Sequence, residues 1–485
     1  MDKISGLLQK DISRRKFLEI MGKIGLTSLT MGVINYQPRF AWGSFKVVPV
    51  AADNPSIVWH ESKCKRCGKC VGACTGQTVL GYYNSSGGKI ICTNCGQCVL
   101  RCTNSALTER DDTAKVWQAL NNHDLHVVVQ TSPASRVSLG EEFGLKAGTV
   151  VEGKQVTALK QLGFAAVFDT GFAADLTVME EATELVQRLT GKLNKPLPQF
   201  TSCSPGWVKF CEHFYPDLLP HMSTCKSPQQ MLGAVIKSYY AQKKGIDPAK
   251  IFTVSVMPCT AKKFECQRPE MNDAGLLAGK PGIKDMDAAL TTRELARMIK
   301  QKNINFTKLG DSLYDSIFGE KSGAGLIFGS SGGVTEAAVR TAFYLLTNTR
   351  PPDQLLNFTE VRGLTGIKEA VVNIPGFGNL KVAVCQGLGN ARKVLELIRS
   401  GQGSWHFVEF MACPGGCVGG GGQPKTTDNA RTARATGLYN LDAASSKRLS
   451  YENQEVQKIY QEFFGFPMSD KAHQLLHTDY IARGL

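Results

Sequence analysis

The sequence predicts an α/β protein: two α/β lobes between about residues 115 and 445, a small cysteine-rich module before them and a small helical segment, 446–485, after them. Three observations lead there. Short apolar runs alternate with helical periodicity from about residue 115 onward, eight of the sixteen cysteines crowd into 64–102, and the composition is globular, with 42% hydrophobic residues in 485.

In chain order, residues 1–44 come first. They hold Ser13-Arg14-Arg15-Lys16-Phe17-Leu18 ahead of a short apolar stretch, 25–34, and carry a surplus of Lys and Arg. Paired arginines before a weakly apolar segment look like a twin-arginine export signal, which would place the protein in the periplasm or otherwise outside the cytoplasmic membrane. The bland reading is an amphipathic amino-terminal helix. Residues 53–62, with Asn54-Pro55-Ser56, read as a linker or first strand, and the cysteine module fills the rest of 53–112. Strand candidates follow at 126–130, 165–168, 252–256, 326–328, 382–384 and 407–410. Between them, Met179, Ala182, Val186 and Leu189 repeat at helical spacing, as do Val334, Ala338, Thr341 and Leu345.

Composition excludes several classes. A formal charge of +14 is too dilute over this length to keep the chain unfolded, and no glycine period or mucin-like tract is present. The longest apolar stretch is far shorter than the roughly 20 residues that cross a bilayer. Beyond residue 44, Lys and Arg are scattered rather than striped, which argues against a nucleic-acid surface.

The strongest organisational signal is an internal duplication, CxxCxxCxxxC at Cys64, Cys67, Cys70 and Cys74 and again at Cys92, Cys95, Cys98 and Cys102. Such spacing lets a tight loop wrap three thiolates around one face of an iron-sulfur cube. Structural zinc prefers two separated pairs, and disulfides seldom join cysteines so spaced. The module resembles bacterial ferredoxins with two 4Fe-4S clusters, although Thr75 and Thr103 stand where those place proline. The resemblance implies crossed ligation: Cys64, Cys67, Cys70 and Cys102 on one cluster, Cys92, Cys95, Cys98 and Cys74 on the other.

Three further motifs lie in the α/β region: Thr201-Ser202-Cys203-Ser204-Pro205-Gly206-Trp207, Met257-Pro258-Cys259-Thr260-Ala261-Lys262-Lys263, and Glu409-Phe410-Met411-Ala412-Cys413-Pro414-Gly415-Gly416-Cys417 with its glycine run. In this order they resemble the signatures of iron-only (FeFe) hydrogenases. That resemblance implies lobes built around a buried metal cluster, a 4Fe-4S cube joined to a diiron unit with carbonyl, cyanide and a bridging dithiolate. It also implies reversible oxidation of H2 to protons and electrons. Carried over, Cys259 and Cys413 hold the cube and Cys417 bridges to the diiron unit. Lys262 donates to a cyanide, and Pro258, Met411, Gln229 and Phe328 line the pocket. The proton relay maps onto Cys203, Glu181, Ser223 and Glu184, of which the two glutamates share a helical face. Either glutamate alone reads as a solvated helix residue.

The departure is in the first motif. The family places two adjacent cysteines before the proline, the relay thiol and the fourth cube ligand, where this chain has Cys203-Ser204. Three outcomes follow: Ser204 ligates as an alkoxide, the loop slips so that Cys203 ligates, or Cys211 or Cys225 takes the place. The missing thiolate also sustains an alternative, a hydrogenase-like protein that senses H2 or assembles clusters.

Two look-alikes are set aside. The glycines at 323–333 suggest a nucleotide loop, but with 326–328 as a strand the first glycines precede it. His473 and His477 lie one helical turn apart without a third ligand and read as structural, as the leftover Cys211, Cys225, Cys266 and Cys385 read as buried thiols. The partners implied are dedicated cluster-maturation proteins and an external electron carrier, a c-type cytochrome outside the cytoplasm or, alternatively, a ferredoxin.

Overall fold

The computed structural model describes residues 47, 48, 50–76, 82, 83, 90–425 and 427–484. The export signal expected at 1–44 and the side chain of Thr75 lie outside the described residues. In the cysteine module, β1 (Ile57–Trp59) pairs antiparallel with β4 (Leu107–Glu109), and β2 (Tyr82–Tyr83) with β3 (Ile90–Ile91). Each cysteine run ends in a helix, α1 (Lys69–Gly76) or α2 (Gln97–Arg101), and the two helices pack on each other.

The remaining strands are β5 (His126–Thr131), β6 (Ala166–Asp169), β7 (Gln199–Thr201), β8 (Ile251–Met257), β9 (Ala288–Thr291), β10 (Ile367–Ile374), β11 (Gly378–Gln386) and β12 (Phe407–Met411). They form two four-stranded sheets, which are the two expected lobes. One has the order β6-β5-β8-β9 and is wholly parallel; the other has the order β10-β11-β12-β7 and is parallel except at its β10-β11 hairpin. Both are covered on two faces. In the first sheet Val128, Phe168 and Ile251 pack into one core, and Val127, Val129, Val167 and Val254 into another. In the second, Ala383, Cys385 and Phe410 face one core, and Val382, Val384 and Phe407 the opposite one. Double coverage explains why these strands read as continuous apolar runs.

Four helices matter for the site: α3 (Thr170–Leu189), α4 (Pro205–Phe214), α5 (Gly323–Ile327) and α6 (Gly333–Thr347). The expected strand at 326–328 is therefore wrong, because Leu326 and Ile327 close α5. Three apolar residues carry no period that separates a strand from a buried helix. Here Ser322 decides, its hydroxyl accepting from the Gly325 amide at 3.3 Å as an N-cap. The argument against a nucleotide loop changes with it. The glycines sit in this buried helix and in a turn fastened to the third motif, where Ser331 N donates to Gly415 O at 3.0 Å and Val418 N to Gly329 O at 2.9 Å. β7, β9 and β10 went unpredicted. The first two are only 3 and 4 residues long, and β10 alternates buried and exposed positions at the rim of its sheet.

Candidate active site

All three motifs leave the carboxyl ends of parallel strands, the position where open α/β sheets bind ligands. β7 and β12 are neighbours, with Thr201 opposite Glu409, so the loops bearing Cys203 and Cys413 emerge side by side. β8, in the other sheet, delivers Pro258 and Cys259. Cross-ties lock the loops together: Ser202 Oγ donates to Phe410 O at 2.5 Å, and Gly422 N donates to Pro258 O at 2.8 Å.

Cys259, Cys413 and Cys417 gather where these loops meet. Burial pushes the Cys259 thiol up to about 11, and burial together with the neighbouring sulfurs raises Cys413 further. Cys203 and Cys417 share a hydrogen bond, which raises Cys417 and lowers Cys203; the Lys262 ammonium also favours the Cys203 thiolate. Thiols this close cannot all ionise unless a cation joins them, so the donor set suits a soft, thiolate-bound iron cluster. Ser132 Oγ, at the end of β5 in register with β8, is buried without a protein partner and remains available to a bound group. None of the sixteen cysteines, all among the described residues, is in a disulfide.

Cys203 packs in one apolar cluster with Met411 and Phe328. Lys262 is buried and donates to Ser227 Oγ at 2.7 Å and Glu265 Oε2 at 2.8 Å, while its charge also bears on Cys259 and Cys203. Gln229 donates to Glu265 Oε2 at 2.9 Å and accepts from Ser255 Oγ at 2.7 Å, so its amide steadies the lysine's carboxylate partner. Ser204 occupies the N-cap of α4, yet its hydroxyl makes no capping bond. Cys211 lies in the aromatic core with Trp207 and Phe210, and Cys225 faces His477, so neither joins the three gathered thiols.

The residues expected to relay protons also assemble. Glu181 accepts from Thr201 Oγ1 at 2.7 and 2.8 Å and is within reach of the Ser223 hydroxyl. Ser223 Oγ in turn donates to Glu184 Oε2 at 3.0 Å, and Glu184 pairs with Arg188 at 2.5 Å. Sequence reasoning missed Thr201, Arg188 and Glu409; the last is a buried carboxylate in β12 that accepts the Gly332 and Thr335 amides at 2.7 and 2.8 Å at the start of α6. Arg188 was discoverable as the residue one turn beyond Glu184. His473 and His477 stack at 4.7 Å, and His477 bridges Thr224 Oγ1 (2.8 Å) and Glu180 Oε2 (3.1 Å) with Glu184 and Cys225 close by.

Burial, with Glu184 close by, pushes Glu181 up to about 8 from an ordinary 4.5. Between those values the folded chain holds a proton that the unfolded chain releases. Stability therefore falls as pH rises through that window, by up to about 1.4 kcal/mol per pH unit. Glu181→Gln, neutral throughout, is expected to flatten this slope when thermal midpoints are compared between about pH 5 and 8. Equal slopes would rule out a buried, protonated Glu181.

In the cysteine module the two runs share one backbone template. The second residue after the first cysteine has positive φ in both, Arg66 at 50° and Asn94 at 63°, as does the glycine after the second cysteine, Gly68 at 75° and Gly96 at 71°. Arg66 N and Asn94 N each donate at 3.4 Å to the first sulfur of their run, Cys64 and Cys92. Cys98 lies in the field of Cys92, Cys95, Cys74 and Cys70, and Cys70 in that of Cys102, so the fourth cysteine of each run lies near the other run.

The second run is also docked on the catalytic loops. Gln97 Nε2 donates to Gly419 O at 2.8 Å and Thr260 Oγ1 to Asn94 O at 2.6 Å, and a Cβ on Gly421 would collide with the Cys95 carbonyl oxygen. Gly421→Ala should therefore cost about 1–3 kcal/mol through overpacking, read as a lowered thermal midpoint. An unchanged midpoint would show that the two parts are not held at this contact.

Comparison with known proteins gives one family. The iron-only hydrogenase large subunit, C-terminal domain, matches residues 125–421, and the iron hydrogenase small subunit matches 428–483. Iron hydrogenase 1 of Clostridium pasteurianum is 45% identical over 446 residues, covering 88% of this chain and 76% of its own. The periplasmic [Fe] hydrogenase large subunit of Nitratidesulfovibrio vulgaris is 49% identical over 310 residues, 64% of this chain and 71% of that one. Cytosolic iron-sulfur assembly component 3 of Mus musculus is more distant, 32% identical over 363 residues, 73% of this chain and 74% of its own. Among solved structures, the [FeFe]-hydrogenase HydA1 from Chlamydomonas reinhardtii superposes with a TM-score of 0.69 at 42% identity, covering 78% of this chain and all of that one. With its three motif loops converging and its length matched to these relatives, the chain belongs to the iron-only hydrogenase family.

Proposed function

We propose that the protein catalyses the reversible oxidation of H2 to two protons and two electrons. The observation that carries this reading is the convergence of Cys259, Cys413 and Cys417 beside a Cys203 thiol, with the Glu181, Ser223, Glu184 and Arg188 chain running from Thr201, two residues before it. Cys259, Cys413 and Cys417 would hold a cube joined to a diiron unit with carbonyl, cyanide and dithiolate ligands, and Ser204 stands at the fourth position. When bound, such a cluster would supply the redox chemistry that splits H2.

The chain's own residues do the rest. Met411 and Phe328 exclude water around Cys203; Lys262, neutralised by Glu265 on one side, offers its remaining donor capacity to an anionic ligand. Cys203 exchanges the proton with the active site. Glu181, whose proton affinity burial brings near neutral pH, passes it through Ser223 to Glu184. Residues 53–112 would carry two 4Fe-4S clusters as the electron route, 115–445 the catalytic region, and 446–485 a segment like the hydrogenase small subunit. The nearness of Cys74 to Cys98 and of Cys102 to Cys70 supports ligands exchanged between the two runs. Twin-arginine export at 1–44 and maturation by dedicated proteins complete the reading.

Infrared spectroscopy of anaerobically matured protein tests it, together with hydrogen-dependent reduction of a viologen dye. Carbonyl and cyanide bands with dye reduction are expected. Their absence from protein that retains iron-sulfur clusters would favour the second reading, sensing or cluster assembly, which Ser204 and the likeness to the assembly component support.

A further inference from the structure

Glu184, Cys225 and His477 are all buried, and one ligand atom from each lies within 4.8 Å of the other two. They come from distant parts of the chain. Glu184 stands on α3, while Cys225 and His477 face each other across an antiparallel bridge between the loop around Ser223 and the carboxyl-terminal segment. Lys226 N to Leu476 O and Thr478 N to Thr224 O, both at 2.8 Å, fasten that bridge. His477 Nδ1 is 3.9 Å from the Cys225 sulfur, and Nε2 is 3.1 Å from Glu180 Oε2. Glu180 also accepts from Tyr460 Oη at 2.5 Å and Met468 N at 2.7 Å, surroundings of donors alone that suit an ionised carboxylate. Nε2 therefore carries a hydrogen, and in the neutral ring the lone pair falls on Nδ1, on the side of Cys225.

A buried glutamate, thiol and imidazole are often no more than a hydrogen-bonded core. Two features set this group apart. A carboxylate behind the far nitrogen is how metal-binding imidazoles are oriented. Glu180, Glu181 and Glu184 also all bear on the Cys225 sulfur, and the Arg188 guanidinium answers them only through Glu184 Oε1, leaving Oε2 to Ser223 and Thr224. We propose that Glu184, Cys225 and His477 Nδ1 form a zinc site, with water as the fourth ligand, and that zinc bound there blocks the proton path at Glu184. One carboxylate, one thiolate and one imidazole suit this borderline-soft ion, and three protein ligands with an open fourth place are a common zinc arrangement. Binding releases the Cys225 proton to solvent, so two anionic ligands meet the dication. Because Glu184 accepts from Ser223 Oγ at 3.0 Å, an ion on its carboxylate removes the acceptor that the relay needs. The effect on turnover rests on the hydrogenase reading above; the binding of zinc does not. His473, exposed and stacked on His477 at 4.7 Å, gives the ion a first contact at the surface.

The test adds a zinc salt to the matured full-length protein and reads hydrogen-dependent viologen reduction, iron content and zinc X-ray absorption. With about one equivalent bound, the absorption fine structure should give a single sulfur at about 2.3 Å and nitrogen and oxygen at about 2.0–2.2 Å. Turnover should fall by about 100-fold, and a chelator should restore it without loss of iron. Cys225→Ala should need at least about 10-fold more zinc for half inhibition, each protein being measured against its own rate without zinc. Zinc held without sulfur, zinc held as tightly by Cys225→Ala as by the unaltered protein, or zinc that enters only by displacing cluster iron would overturn the site. Zinc seated on a single sulfur with turnover unchanged would overturn the block. Absence of viologen reduction before any zinc is added would count against the hydrogenase reading instead, and the absorption spectrum would still decide the site.

Discussion

Replacing Cys203 with alanine should lower hydrogen turnover by about 100-fold to 10,000-fold, the range that a positioned proton-transfer group contributes. Geometry singles this thiol out. It lies beside Cys417 and in the field of Lys262, and packs half-buried with Met411 and Phe328 next to the three gathered thiols. Its loop starts at Thr201, which holds Glu181 through both carboxylate oxygens. No direct hydrogen bond joins Cys203 to Glu181 among the described residues, so the variant removes one end of the route without touching the other. Iron content and the carbonyl and cyanide bands should persist, because Cys259, Cys413 and Cys417 are untouched. Turnover within about 3-fold of the parent would remove Cys203 from the relay. Loss of the infrared bands would instead show that Cys203 holds the cluster, the outcome in which the loop slips.

Chemistry was more legible in the sequence than packing. Cysteine spacing reflects the geometry of the cluster it would hold, so roles for the duplicated runs and the third motif could be proposed before any fold was known. The relay glutamates were legible only beside those motifs, because a glutamate three residues from another looks the same on a solvated helix. What escaped was decided by partners distant in the chain. Glu409 reads as a charge interrupting a strand until the amides of Gly332 and Thr335 are seen to meet it. Two of the glycines at 420–422 admit neighbouring backbone, Gly420 lying against Pro258 and Gly421 against Cys95. The misread strand at 326–328 has the same origin: its apolar residues are buried on every side, and only the Ser322 cap and the neighbouring helices distinguish helix from strand.

Restoring the family's thiol with Ser204→Cys should make the cube longer-lived, with iron lost to a chelator at least about 10-fold more slowly than in the parent. The backbone there is already fixed without help from the side chain: Ser204 N is held by Ser202 Oγ at 3.0 Å, and its carbonyl accepts from Trp207 N and Val208 N at 3.0 and 3.1 Å. A sulfur placed on it therefore costs little rearrangement, and the hydroxyl it replaces caps nothing. The gain comes from ligand chemistry, since a cysteine thiol, with an ordinary pKa near 8.5, yields a soft anionic donor far more readily than a serine hydroxyl. The other three thiols have already been raised, Cys417 by the Cys203 thiol and burial, Cys259 and Cys413 by burial, so metal binding must overcome that cost at each, and a weak fourth donor would leave the cube less tightly held. Ser204→Ala completes the comparison. If the serine oxygen ligates as an alkoxide, alanine should shed iron faster than the parent; if Cys203 has slipped into the position, alanine and the parent should behave alike and turnover should suffer in both. Equal retention by the cysteine variant and the parent would show that a fourth donor as good as thiolate is present already, and Ser204 would then be a harmless substitution rather than the weak point of the cluster.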